Sequence, residues 1–248
     1  MSDSRPLFHV KICGVTSPAD AALAAAAGAD AIGVNFVAGS PRRVEAEVAR
    51  AVAAAVPPGV LVVGVFAGAS AAEVVATARA AGLGAVQLHG HTHGSGSGVD
   101  SPETCAAVRV ALGPLPVIRA VRLGTDGLAE ARRWLAAAAA AGAAPDLAIV
   151  DASVPADARG GSLGGTGARV DWRALAAEQP LGVAWALAGG LEPGNVAEAI
   201  RVSGAPAVDV ASGVESAPGR KDPTKLRDFV AAARAALAGG PVRPPHAG

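Results

Sequence analysis

Cys13 sits in the segment Lys11-Ile12-Cys13-Gly14, where a short apolar run gives way to a glycine turn and a helix start at Ser17-Pro18. In a sheet wrapped by helices, side chains at the carboxyl ends of strands are the ones that meet substrate. A cysteine there can accept a proton as its thiolate. Asp151, which closes the apolar run from Asp146, can supply one, so the pair suits acid–base catalysis across a bound sugar. Taken singly, Cys13 also fits a small buried residue and Asp151 a turn cap. Cys105 falls inside an expected helix and is assigned no role.

Three glycine-bearing segments gather in the last third: Gly164-Gly165-Thr166-Gly167, Ala188-Gly189-Gly190-Leu191 and Ala211-Ser212-Gly213-Val214. Glycine lets backbone N–H groups approach an anion closely, and the last two segments follow apolar runs. Gly165, Gly167, Gly189, Gly190, Ser212 and Gly213 are therefore phosphate-binding candidates. Arg42, after Ser40-Pro41, offers a planar fork for an anionic group. His89 ends another apolar run, and Arg42, His89 and Asp209 make up the substrate-binding candidates. Lys11, two residues before Cys13, shares its face of the strand, and a charge there needs a partner. Asp209 is the expected partner. His89, His91 and His93 alternate in a Gly-rich stretch without carboxylate or thiolate support, so no metal site is expected.

These residues need a scaffold. Candidate strands are Phe8 to Cys13, Ala31 to Phe36, Val60 to Phe66, Ala85 to Leu88, Pro116 to Val121, Asp146 to Asp151, Val183 to Ala188 and Ala207 to Val210. Most are continuously apolar, as parallel strands buried on both faces are. Helix starts are expected at Ser17-Pro18, Ser101-Pro102, Glu192-Pro193 and Asp222-Pro223, with Ser17 and Asp20 forming a capping box. Gly28, Gly82 and Gly142 mark helix ends. Eight β-then-α units about 30 residues apart predict an α/β fold, a single (β/α)8 TIM barrel over residues 1–238. A disordered tail is expected over 239–248, and loops of special length over 90–100 and 152–170.

Composition bounds the partners. With 21 basic and 21 acidic residues among 248, and only four Phe, three Trp and no Tyr, nucleic acid is not an expected partner. Two cysteines and an N-terminus without a signal pattern suggest a reduced, cytoplasmic protein. The apolar stretch from Ala49 to Ala69 is cut by Pro57-Pro58-Gly59, so no membrane span is expected.

The ordered set Lys11-Ile12-Cys13-Gly14 with Thr16, Ser40-Pro41-Arg42, Val63-Gly64-Val65-Phe66, Gln87-Leu88-His89-Gly90, Asp151, Gly165-Thr166-Gly167 with Asp171-Trp172, Ala188-Gly189-Gly190-Leu191, and Val208 to Glu215 with Pro218-Gly219 and Lys221-Asp222 resembles the phosphoribosylanthranilate isomerase family. The resemblance implies an Amadori rearrangement of N-(5-phosphoribosyl)anthranilate in tryptophan biosynthesis, without cofactor or metal, by a monomer or homodimer. It further implies Asp151 as general acid, Cys13 as general base and Arg42 as holder of the anthranilate carboxylate. A free thiol is mostly protonated at neutral pH, so the site is expected to lower that of Cys13. Asn35 and Val37-Ala38-Gly39 depart from the family's usual aromatic and basic residues. The rival readings are another phosphosugar isomerase or epimerase barrel, and a non-catalytic phosphosugar-binding barrel.

Overall fold

Valine, isoleucine and alanine occupy both faces of eight short segments, and each segment forms a parallel strand. The computed structural model describes residues 5–89, 101–124, 126–152, 172–178 and 181–239. The strands are β1 (Val10–Ile12), β2 (Ala31–Asn35), β3 (Leu61–Phe66), β4 (Ala85–His89), β5 (Val117–Arg122), β6 (Leu147–Asp151), β7 (Trp185–Ala188) and β8 (Val208–Val210). Between them run helices α1 (Pro18–Ala26), α2 (Ala46–Ala55), α3 (Ala71–Ala81), α4 (Pro102–Leu112), α5 (Ala129–Ala140), α6 (Trp172–Ala177) and α7 (Val196–Ser203), and α8 (Pro223–Ala238) follows the last. The sheet closes by pairing β1 with β8, Lys11 opposite Asp209. The eight expected strands are all present, and the fold is the expected α/β barrel.

Strand alternation divides the apolar residues into two cores. Ala31, Val63, Ala85, Ile118, Leu147, Ile149, Ala186 and Ala207 fill the interior, with Phe8 beneath them. Their neighbours along each strand pack outward against the helices. The interior is a packed core, so chemistry is confined to its carboxyl-end rim.

The amino-end rim is held by a device that occurs twice. The Asp30 carboxylate, just before β2, accepts hydrogen bonds from the N–H groups of His9 (2.9 Å) and Val10 (2.8 Å) and pairs with Arg234 on α8. The Asp146 carboxylate, just before β6, accepts from the Val117 N–H (2.8 Å) and pairs with Arg109 on α4 at 2.7 Å. Each carboxylate thereby satisfies strand-start donors that the parallel ladder leaves over.

Three local expectations are corrected or extended. The helix expected at Glu192-Pro193 starts at Val196: the Asn195 side-chain Oδ1 accepts the Glu192 N–H at 2.9 Å, and the chain completes a turn first. Ser17 caps α1 through the Asp20 N–H, but the box stays half-made because the Asp20 carboxylate accepts from the Lys221 N–H instead. A full capping box occurs at Ser70 and Glu73. Beyond β8, a 3-10 turn at Ser212–Val214 leads into an antiparallel hairpin, β9 (Glu215–Ala217) and β10 (Arg220–Lys221), which the apolar pattern did not reveal. Gly28, Gly82 and Gly142 all have positive φ at helix ends, as expected. Residues 90–100, 153–171 and 240–248 lie outside the described residues, and with them the expected insertion, most of the long loop and the tail after Gly239.

Candidate active site

Cys13 follows β1 directly, and its N–H donates to the Val210 carbonyl at 2.7 Å, so the strand's path continues to the rim. Alternation puts Lys11 and Cys13 on the inward face. The Lys11 side chain is wholly buried and its Nζ lies 2.9 Å from Asp209 Oδ1, as expected. Room for the thiol comes from Gly33 on β2, level with Cys13. A Cβ built there would lie 2.7 Å from Cys13 Sγ, closer than real contacts allow.

The electrostatics of the thiol depart from expectation. Burial is the largest influence and pushes the Cys13 thiol above its ordinary value. Lys11 pulls it down, Asp209 pushes it up, and Lys221 pulls it down again. The cations were expected to win; removal from water, the largest influence, outweighs them with Asp209 acting in the same direction. Lys11 keeps a raised value of its own: burial works against its charge, but Asp209 and Cys13 more than compensate.

Asp151 ends β6, half-buried, on the same face as Leu147 and Ile149, which line the interior. It pairs in register with Arg122 of β5 on one side and Ala188 of β7 on the other. His89 ends β4 and stands level with Ala120. Cys13, His89 and Asp151 thus share the carboxyl-end rim and the inward face.

Arg42 arrives from the loop between β2 and α2. Asn35 holds that loop: its Oδ1 accepts the Val37 N–H at 2.7 Å and its Nδ2 donates to Ser40 Oγ at 3.2 Å. Ser40 Oγ in turn accepts the Arg42 N–H at 3.2 Å. The departure at Asn35 therefore does not loosen Arg42. The arginine side chain crosses Gly14, whose φ of +69° and missing Cβ leave the passage open. Its Nε and Nη2 donate to the two oxygens of Glu215, at 2.8 and 2.7 Å.

Gly189 and Gly190 turn the chain after β7 with φ of +95° and +62°. Ser212 and Gly213 form the 3-10 turn after β8. The two turns touch, since a Cβ at Gly213 would collide with the Leu191 carbonyl. The structure therefore joins these four candidates. Gly165 and Gly167 lie outside the described residues. Asp209, a substrate-binding candidate, is engaged below the rim by Lys11.

Glu215 and Lys221 were not singled out from sequence. Both side chains are almost completely buried, with Lys221 Nζ 2.9 Å from Glu215 Oε1. The available signal was two charges flanking Pro218-Gly219, a hairpin pattern inside the resembling segment.

The comparisons with known proteins bear on the family and the fold. The family model for N-(5'-phosphoribosyl)anthranilate (PRA) isomerase matches residues 10–232. The N-(5'-phosphoribosyl)anthranilate isomerase of Myxococcus xanthus is 41% identical over 227 residues, covering 91% of this chain and 96% of the relative. Among solved structures, the isomerase from Thermotoga maritima superposes with a TM-score of 0.75 at 31% identity, covering 92% of this chain and 99% of that one. A phosphoribosyl anthranilate isomerase in complex with reduced 1-(o-carboxyphenylamino)-1-deoxyribulose 5-phosphate gives 0.72 at 29% identity, with the same coverage. A closed eight-stranded barrel, a cysteine and an aspartate on one rim, and a match running from β1 into α8 converge on one answer: the chain belongs to the phosphoribosylanthranilate isomerase family.

Proposed function

We propose that Cys13 and Asp151 catalyse, in this chain, the Amadori rearrangement of its family, the isomerisation of N-(5'-phosphoribosyl)anthranilate to 1-(2-carboxyphenylamino)-1-deoxyribulose 5-phosphate in tryptophan biosynthesis. The observation that carries the assignment is the shared placement of the two groups on the inward carboxyl-end rim. Asp151 donates a proton to the ribose ring oxygen as the C1–O bond breaks, and the nitrogen lone pair forms a C1=N bond. The positive nitrogen acidifies C2–H. The Cys13 thiolate takes that proton, and the C–H electrons become a C1=C2 bond as the C1=N π pair returns to nitrogen. The enol then loses its O–H proton and gains one at C1 to become the ketone at C2. Arg42 holds the anthranilate carboxylate through the part of its guanidinium that Glu215 does not use. His89 stands at the rim beside the substrate. The adjoining turns at Gly189-Gly190 and Ser212-Gly213, with Gly165 and Gly167, bind the phosphate.

Every group in this scheme belongs to one chain, which suits a monomer or a homodimer. Residues 1–238 act as one catalytic domain in the cytoplasm. Among the described residues no helix is long and apolar enough to cross a membrane.

The test uses the fluorescence of the anthranilate conjugate. Cys13→Ala and Asp151→Ala should each lose about 10²- to 10⁴-fold in turnover, the usual contribution of a positioned acid or base. Both should still bind the reduced product analogue. Near wild-type turnover in either variant removes that residue from its role.

A further inference from the structure

We infer that Glu215 and Lys221, on the hairpin after β8, are positioning residues that set where the substrate's carboxylate is held relative to the thiol. The inference rests on Arg42 as the carboxylate's holder and extends it to residues that need not touch substrate.

The argument begins with the guanidinium. Two parallel N–H···O bonds to one carboxylate fix the plane of Arg42, and its Nη1 end remains for a ligand. An arginine pinned at the loop alone would keep several rotamers, and ordering them on binding would weaken the substrate's hold. Glu215 removes that freedom in advance. Burial alone would raise the Glu215 carboxyl, but hydrogen bonds from Arg42 and Lys221 hold it below its ordinary value, so it stays a carboxylate.

Lys221 extends the chain of contacts to the base. Its ammonium is buried and commits its donors to Glu215 Oε1 at 2.9 Å, the Cys13 carbonyl at 2.6 Å and the Ala211 carbonyl at 3.1 Å. The backbone of the thiol residue, Lys221, Glu215 and Arg42 are therefore linked without a gap. The hairpin that carries both charges is itself anchored to the two loops it joins. Thr16 Oγ1 donates to the Gly219 carbonyl at 2.6 Å, and a Cβ built on Gly219 would meet the Pro41 carbonyl oxygen at 3.4 Å. Glu215 Oε1 thus serves the carboxylate anchor on one side and the base's strand on the other.

The experiment is steady-state kinetics and product-analogue binding on the full chain with Glu215→Gln, Arg42→Ala and the two combined. Glu215→Gln should raise KM and the analogue's Kd about 10- to 100-fold, the worth of a hydrogen bond between charged groups, with a smaller change in kcat. In the Arg42→Ala background it should add less than about 2-fold. Because the neutral amide leaves Lys221 buried without a counter-charge, Glu215→Gln/Lys221→Met is measured beside it, with circular dichroism to verify the fold. An unchanged KM in Arg42→Ala overturns the carboxylate-holder reading and this inference together. A raised KM in Arg42→Ala with wild-type KM and Kd in both Glu215 variants overturns the positioning role alone. So does an equal effect of Glu215→Gln in both backgrounds.

Discussion

The two sides of the barrel that carry the proposed base and the proposed acid are built from opposite materials. Around Cys13, the β8–β1 wall and the hairpin behind it bury Lys11, Asp209, Glu215 and Lys221. Beneath Asp151, the inward residues of β6 and β7 are Leu147, Ile149, Ala186 and Ala188. The charged side depends on contacts between the ends of the chain: Lys11 meets Asp209 across 198 residues, and Lys221 meets the Cys13 carbonyl across 208. The apolar side depends on packing between consecutive strands. A proton acceptor that must carry charge in a desolvated place requires fixed partners, which only a closed barrel supplies.

The largest effect expected from this difference is on stability. Lys11→Met leaves Asp209 buried without its cation and should cost about 3–5 kcal/mol, whereas Lys11→Met/Asp209→Leu should recover most of it. Denaturant midpoints of the two variants decide the matter, and equal losses in both would mean that the pair is not a coupled unit. Next is Gly33→Ala, which places a methyl where the thiol now lies. Displacing a reacting group by about 1 Å costs on the order of 10²-fold in kcat, so that loss is expected, with little change in KM. Wild-type turnover in Gly33→Ala would show that the thiol has other room.

The pH dependence gives a smaller effect. The Cys13 thiol is raised above its ordinary 9.0, so the neutral form is favoured at neutral pH and the thiolate fraction grows as pH rises. The thiolate absorbance that Cys13→Ala removes should therefore titrate with a midpoint above 9.0, and a midpoint well below it would contradict the raised thiol. The smallest effect belongs to the apolar wall. Ile149→Val should cost about 1 kcal/mol and leave that midpoint unmoved. A shift of the midpoint would erase the distinction between the two walls.

What the sequence made legible follows the same division. The strands could be read because a parallel strand covered on both faces must be apolar throughout, and Val62–Phe66 and Leu147–Val150 are short apolar runs of that kind. The placement of Cys13 and Asp151 at the rim and the Lys11–Asp209 pair could be read because strand ends and strand alternation are regular. The hairpin could not. Its strands are three and two residues long, and its buried members are charged, so hydropathy has nothing to register. The helix start displaced to Val196 and the unfinished box at Ser17 have one cause: a nearby polar group captured the bond that local pattern assigned elsewhere. The direction of the thiol's shift was hidden because desolvation belongs to the assembled site and to no residue type.

The doubled carboxylate clasp at the amino-end rim has a consequence for how the chain could be divided. Asp30 lies in the first four β–α units and its arginine in the last four, while Asp146 lies in the last four and its arginine in the first. Each half of the molecule thus lends a side chain to the other, one across each seam. Severed between α4 and β5, the two fragments would carry complementary fasteners, and reassembly would restore both at once.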